Sequence, residues 1–279
     1  YVIASDTDSI YLNLGPLVTK FLGSKSDDKA ATVSLLDKVC QEKLEPFIER
    51  SYQNLATYVS AYDQKMQMKR ENIADRGIWT AKKRYILHVW DSEGVRYEKP
   101  KLKIMGIEAV KSSTPAPCRT AIKDALNVVM SGTEEDIQKF IAKFRRDFES
   151  LPLEDIAFPR SCNNIGKFSS PTGIYGKGCP MHVRGSLLYN YYCKKLKISH
   201  KYPLIQEGEK IKYIYLRKPN RMGENVISFF QTLPKEFDVH GSVDYDEQFT
   251  KSFLSPVKVV LDAVGWTPEK RNTLEFLFG

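Results

Sequence analysis

Two carboxylates stand one residue apart, Asp6 and Asp8, in the opening stretch "YVIASDTDSIYLNL", with apolar β-formers on both sides. Such a pair needs something to neutralise it: a metal ion, a basic partner, or water at a turn. A calcium loop of the D-x-[DN]-x-[DN]-G type fails, because Ile10 and Tyr11 occupy its fifth and sixth positions. A plain surface turn is one reading. Another is a two-metal phosphoryl-transfer site, where divalent ions about 4 Å apart stabilise the attacking and leaving oxygens. Short, stiff aspartates at a hairpin tip would supply the hard oxygen ligands those ions require.

A two-metal reading expects a basic, nucleic-acid-binding surface elsewhere in the chain. Between Arg160 and Lys218 there are twelve Lys and Arg residues, opposed only by Glu207 and Glu209. Seven tyrosines are interleaved with them: Tyr175, Tyr189, Tyr191, Tyr192, Tyr202, Tyr213 and Tyr215. Basic side chains with aromatics suit a phosphate backbone, although a charge run is also compatible with a solvated face. The charge is unevenly spread. Residues 1–110 hold 17 Lys and Arg against 15 Asp and Glu, whereas residues 111–279 hold 25 against 19. "GIYGKG" (173–178) is no P-loop, since no G-x-x-x-x-G-K-[ST] register fits it.

The elements that must position these groups follow from periodicity. Residues 1–14 read as strand, turn, strand. From Asp27 to about Tyr62, Val33, Leu36, Cys40, Leu44, Phe47, Leu55 and Val59 follow a helical period, which Pro46 should kink or split. "KRYILHVWD" (83–91) alternates as a strand does, and "SEG" turns it into "VRY", giving a hairpin. "KSSTPAP" (111–117) reads as a boundary, with Thr114 capping a helix, Pro115 at its first position and Gly132 past its end. Thr133 should cap the next helix, with Glu134, Glu135 and Asp136 at its positive end and Ile137, Phe140, Ile141, Phe144 and Phe148 facing a core. A loop-rich stretch, a strand at 210–216 and a last helix near 249–264 complete the reading.

At 279 residues the chain has room for one large or two ordinary domains. No apolar run reaches the roughly 18–20 residues of a membrane span. Five cysteines without a C-x-x-C pair fit a reduced cytoplasmic compartment and give no zinc site of the usual spacing. Tyr1 stands inside an apparent strand with no signal peptide before it, so the expectation is a fragment, or one piece of a protein cut inside a domain.

The motifs carry two resemblances. "VIASDTDSI" is similar to the Asp-x-Asp strand end of haloacid-dehalogenase-type phosphohydrolases, with Asp6 as nucleophile. That family needs a second acidic cluster after a later strand, and "SDD" (26–28) is too close to serve. More extensively, "SDTDSIY" resembles motif C of family B DNA polymerases and "KKRY" (82–85) their downstream basic motif. "KLKIMGIEAVKSSTP" (101–115), "NNIGKF" (163–168), "CPMHVRGSLLYN" (179–190) and "TLEFLFG" (273–279) resemble the T-even bacteriophage replicative type, in order along the whole chain.

That resemblance implies an α+β fold: the C-terminal part of a palm (residues 1–110), a mainly helical thumb gripping duplex DNA (111–272), and a clamp-binding peptide (273–279). It implies Mg²⁺, with Asp8 a direct ligand and Asp6 adjusting coordination. Glu71, in "MKRENI", falls on a further palm carboxylate. Here the sequence departs from the pattern: Lys69 stands where an acid is usual, and a Gly/Pro-rich insert between Ile73 and Trp79 is lacking. A plain surface glutamate is the competing reading of Glu71.

Lys82, Lys83, Arg84 and Tyr85 match the motif that touches primer–template DNA. Strand alternation would send Lys83 and Tyr85 to one side and Lys82 and Arg84 to the other, with Asp91 open as an ion-pair partner for this cluster. Lys167, His182, Arg184, Lys210 and Lys212 are the thumb's phosphate-contact candidates. Thr273, Leu274, Glu275, Phe276, Leu277, Phe278 and Gly279 match the sliding-clamp peptide. Implied partners are primer–template DNA, dNTP, the clamp and the N-terminal part of the polymerase, in a host cytoplasm if viral.

The family's motif A aspartate and motif B lysine are not found in the sequence. The chain alone is expected to be inactive, whether truncated or one piece of a split polymerase. A non-catalytic DNA- and clamp-binding module is a third reading.

Overall fold

The D-T-D stretch folds as an antiparallel hairpin. Strand β1 (Val2–Asp6) pairs with β2 (Ser9–Leu12), and Asp6 faces Ser9 across a two-residue turn. The computed structural model describes residues 2–270 and separates into two units, Tyr1–Met105 and Gly106–Gly279. Both contain helix and sheet, so the fold is α+β.

In the first unit, α1 (Gly15–Leu22) follows the hairpin, then α2 (Lys29–Val39), capped by the Asp28 side chain on Ala31 N–H, and α3 (Glu45–Tyr58). A five-residue π-helical segment, Cys40–Leu44, joins α2 to α3 just ahead of Pro46. Proline lacks an N–H and crowds the carbonyl four residues back, and the wider turn accommodates both effects. A second π segment, Thr250–Leu254, stands in the same relation to Pro256 in the second unit.

Three antiparallel strands form a meander: β3 (Asn72–Ala81), β4 (Arg84–Ser92) and β5 (Val95–Met105). The sequence pattern signals β4 and β5 but not β3. In β3, Gly77 sits beneath the indole of Trp79, where a Cβ would lie 2.6 Å from the ring. The expected alternation through residues 82–85 does not occur. Lys82 and Lys83 form the β3–β4 turn, Lys83 with φ +61°, and the strand begins at Arg84. Tyr85, Leu87 and Val89 make a small core with Tyr11, Ala74, Trp79 and Tyr97.

The second unit opens with α4 (Ala116–Ser131) and α5 (Glu134–Glu149). Thr114 does not cap α4. Pro115 holds the capping position without a side-chain bond, Pro117 fills the first turn, and Thr114 is buried. Thr133 does cap α5, through a reciprocal capping box with Asp136. Short α6 (Leu153–Ile156), β6 (Phe158–Ser161) and α7 (Ile165–Phe168) precede α8 (Met181–Lys195), which lies where the sequence reads as loop. Strands β7 (Lys210–Tyr215) and β8 (Val226–Phe229) complete an antiparallel sheet in the order β6-β7-β8.

Helix α8 crosses this sheet closely, and a Cβ at Gly185 would meet Ser228 Oγ at 2.5 Å. Helices α9 (Tyr245–Phe249) and α10 (Ser255–Val264) close the unit. Phe144 packs on Phe249 and Phe253, at 5.9 and 4.7 Å between ring centres. Buried Gln248 donates to Ile156 O at 2.5 Å and accepts from Tyr215 N–H at 3.2 Å, tying α9 to α6 and β7.

Candidate functional site

The hairpin turn places Thr7 and Asp8 at its tip. Thr7 has φ +51°, a left-handed conformation that a β-branched residue adopts only at a cost of about 1–3 kcal/mol. Hydroxyls from the turn reach both acids: Thr7 Oγ1 donates to Asp6 Oδ1 at 3.2 Å and Ser9 Oγ to Asp8 Oδ1 at 3.4 Å. Lys83 Nζ stands 3.9 Å from Asp6, so the β3–β4 turn meets the hairpin. Asp8 is exposed.

Tyr11 docks the hairpin on the sheet, edge-on to Trp79 and Tyr85 at 5.4 Å from each ring centre. Burial, a hydrogen bond with Tyr85, and the charges of Tyr85, Glu71 and Asp6 all push its phenol above the ordinary value. Tyr85 is therefore a buried support for the hairpin. Lys82 and Lys83 are exposed, and Arg84 is half-buried.

Glu71 lies close enough for its titration to feel the Asp8 charge, but its carboxylate is bonded to Lys103 Nζ at 2.6 Å. The Lys103 bond holds that carboxyl below its ordinary value, against the opposing effects of partial burial and Asp8. Among the described residues, no group of three or more Asp, Glu, His or Cys side chains could hold a metal ion. Glu71 thus does not join Asp6 and Asp8 in such a group.

Asp91 is not the partner of the Lys82–Arg84 cluster. It is buried, with its side chain 1% exposed, bonded to Arg70, accepting Gly94 N–H at 3.0 Å and facing Arg96 Nε at 3.8 Å. Arg70 also bonds Asp37 on α2 at 2.6 Å. Residue 71 follows directly, and its carbonyl accepts Glu93 N–H at 2.6 Å. This network pins α2, the start of β3 and the β4–β5 turn together beside the acids. Sequence reasoning missed Tyr11, Lys103 and Arg70. Only Tyr11 carries a local signal, as the apolar-strand neighbour of the acids.

In the second unit, the five phosphate-contact candidates divide. Lys167 and Lys210 are exposed. Lys212 is half-buried and donates to Glu154 O at 2.9 Å. Arg184 bonds Asn225, contacts Met181 Sδ at 2.9 Å and lies 5.5 Å over the Tyr175 ring. His182 is half-buried, and burial, aided by Arg160, lowers its pKa, favouring the neutral ring.

Glu207 and Glu209 do not offset the basic run by pairing with it. Glu207 accepts Asn164 and Ile165 N–H groups, and Glu209 accepts Gln206 N–H. Among the described residues, Lys201 alone of the twelve basic groups forms an ion pair, with Glu236 at 2.6 Å. The surface therefore keeps most of its positive charge available to an anion. The clamp-peptide residues Thr273, Leu274, Glu275, Phe276, Leu277, Phe278 and Gly279 lie outside the described residues.

Comparison with known proteins adds the relationship. The chain is 36% identical, over 291 aligned positions, to the DNA-directed DNA polymerase of Escherichia phage RB69. It is 31% identical over the same length to that of Enterobacteria phage T4. The chain is related, end to end, to one region of the T-even-type phage DNA polymerases. Each alignment covers 100% of this chain and 32% of the phage polymerase, so the chain spans about a third of these relatives. No family model matches it. In this polymerase-related region, the D-T-D pair offers carboxylate oxygens at a hairpin turn, Asp8 exposed at the tip and Asp6 half-buried at the end of β1. The basic run offers ammonium and guanidinium groups that internal acids leave largely uncompensated.

Proposed function

We propose that the chain forms the C-terminal palm segment and thumb of a family B, T-even-type DNA-directed DNA polymerase. The observation that carries this reading is the D-T-D pair on a two-residue hairpin turn, in a chain similar end to end to phage DNA polymerases. Asp8 is a ligand of Mg²⁺ and Asp6 adjusts the coordination. The donor set fits part of a magnesium shell: hard carboxylate oxygens that accept from the neighbouring Thr7 and Ser9 hydroxyls, with Lys83 Nζ 3.9 Å from Asp6. Two aspartates cannot fill octahedral shells, so the remaining ligands come from another part of the polymerase, as does the lysine that grips the incoming dNTP. When bound, Mg²⁺ activates the primer hydroxyl and offsets the charge of the transferring phosphoryl group.

The chain's own residues position the reactants. Tyr11, held on Trp79 and Tyr85, fixes the hairpin against the sheet. Lys83, near Asp6, and Lys82 meet the primer–template backbone beside the acids. Lys167 and Lys210 meet duplex phosphates by charge rather than by base, as a sequence-independent grip requires. Val2 and Ile3 on β1 are 66% and 52% exposed, an apolar surface suited to cover by the rest of a palm. The phosphohydrolase reading lacks its second acidic cluster: the acid near the end of β4, Asp91, is buried on arginines. Residues 273–279 tether the enzyme to a sliding clamp, raising its effective concentration at the primer. No helix among the described residues is long and apolar enough to cross a membrane, and the proposed setting is the cytoplasm of an infected host.

Primer extension tests the proposal. The purified 279-residue chain should give no extension. Supplying the polymerase segment that carries the other metal aspartate and the dNTP-binding lysine should give Mg²⁺-dependent synthesis. Robust extension by the chain alone, or none after complementation, contradicts the assignment.

A further inference from the structure

The acids of the basic stretch are placed for a purpose other than charge balance. Beyond the last β6–β7 pair, Ser161 opposite Lys210, the two chains continue together. Cys162 N–H donates to Glu209 O and Gly208 N–H to Cys162 O, each at 2.8 Å. The chain then turns at Asn164, whose φ of +64° is a left-handed conformation that asparagine tolerates. This turn presents two consecutive N–H groups to one carboxylate: Asn164 N–H to Glu207 Oε1 at 2.6 Å and Ile165 N–H to Oε2 at 2.9 Å. Exposed Lys167 follows two residues after Ile165, and exposed Lys210 three residues after Glu207.

We infer that Glu207 is a positioning residue for the phosphate-binding surface. Its carboxylate clamps the 162–168 segment, which includes α7, to the chain entering β7 and so fixes Lys167 relative to Lys210. The inference rests on the duplex-binding reading above, and it makes a prediction of opposite sign to simple electrostatics. By charge alone, removing one of the two acids within the 160–218 stretch, which holds twelve basic residues, should tighten phosphate binding. A clamp predicts weaker binding, because the segment carrying Lys167 then loses its anchor and must be ordered again on DNA.

The test is titration of a fluorescein-labelled random-sequence duplex with the 279-residue chain across a KCl series. Glu207→Gln should bind about three- to tenfold more weakly, with a log K against log[salt] slope shallower by about 0.9, the signature of one lost phosphate contact. Glu207→Asp keeps the charge but is too short to reach both N–H groups, and should also weaken binding. Lys167→Ala should weaken binding similarly, and the Glu207→Gln/Lys167→Ala double variant should bind no worse than either single variant. Thermal melting of each variant controls for unfolding. Glu207→Gln binding as tightly as the parent, or more tightly, overturns the clamp while leaving DNA binding intact. Failure of the parent chain to bind duplex at low salt overturns the duplex-binding reading and the clamp with it.

Discussion

Replacing Asp91 with alanine would leave the Arg70 guanidinium buried with one carboxylate fewer. The Arg70 and Asp91 side chains are 10% and 1% exposed, so water cannot stand in for the lost partner. Breaking a buried pair by deleting one member costs about 3–5 kcal/mol. Arg70 keeps Asp37 at 2.6 Å, which places the expected loss at the lower end, about 3 kcal/mol. A unit of roughly one hundred residues loses about 4–8 °C per kcal/mol, so the transition of the first unit should fall by at least about 12 °C. Asp91→Asn keeps an acceptor for Gly94 N–H but not the charge, and should cost about 2 kcal/mol. Replacing Arg70 and Asp91 together by methionine and leucine should recover much of the loss, because the isolated buried charge is then gone. Differential scanning calorimetry reads all three variants. A loss under about 1 kcal/mol for Asp91→Ala would refute the view that this network holds α2 and the β4–β5 turn beside the acids.

Three further outcomes are expected. Gly185→Ala should destabilise the second unit by about 1–3 kcal/mol by denaturant unfolding, because a Cβ there would lie 2.5 Å from Ser228 Oγ and 2.8 Å from Ser228 N. Glu71 has a folded pKa lowered by its bond to Lys103, so that stabilisation is fully present above its ordinary pKa of 4.5 and fades as pH falls through the depressed folded value. Glu71→Gln should accordingly show a stability deficit at neutral pH that disappears in acid, as read by urea unfolding across a pH series. Deleting residues 273–279 should leave duplex binding and short-primer synthesis by the completed enzyme unchanged, and remove stimulation by the clamp in a processivity assay.

Where local chemistry sets the structure, the sequence is readable. The D-T-D hairpin shows as two apolar strands around short polar residues, and α5 as a capping box ahead of a phenylalanine stripe. Helix α8 is harder to see, because its buried face adds only Val183 and Leu188 as aliphatic residues to Gly185, Ser186, Tyr189 and Cys193. Close packing on β8 demands the small side chains, and they blur the helical period. Strand β3 hides for a related reason: Gly77 makes room for Trp79, and the adjacent charged Asp75 and Arg76 break the alternation. The Arg70 network has no local trace, since its carboxylates lie 21 and 33 residues away in sequence. For the same reason, pairing with Lys103 and burial on Arg70, rather than residue type, decide what Glu71 and Asp91 do.

Asp8, as proposed above, is a metal-ligating carboxylate of a polymerase active site completed by another segment. The most direct measurement is Mg²⁺-dependent nucleotide incorporation by the completed polymerase carrying Asp8→Ala or Asp6→Ala, with duplex affinity measured in parallel. Asp8→Ala should reduce incorporation to background and Asp6→Ala should lower it by about 10- to 100-fold, the scale for groups that tune a metal's coordination, with duplex binding retained in both. Incorporation by Asp8→Ala at the parental rate, at any Mg²⁺ concentration, would rule out this role for Asp8.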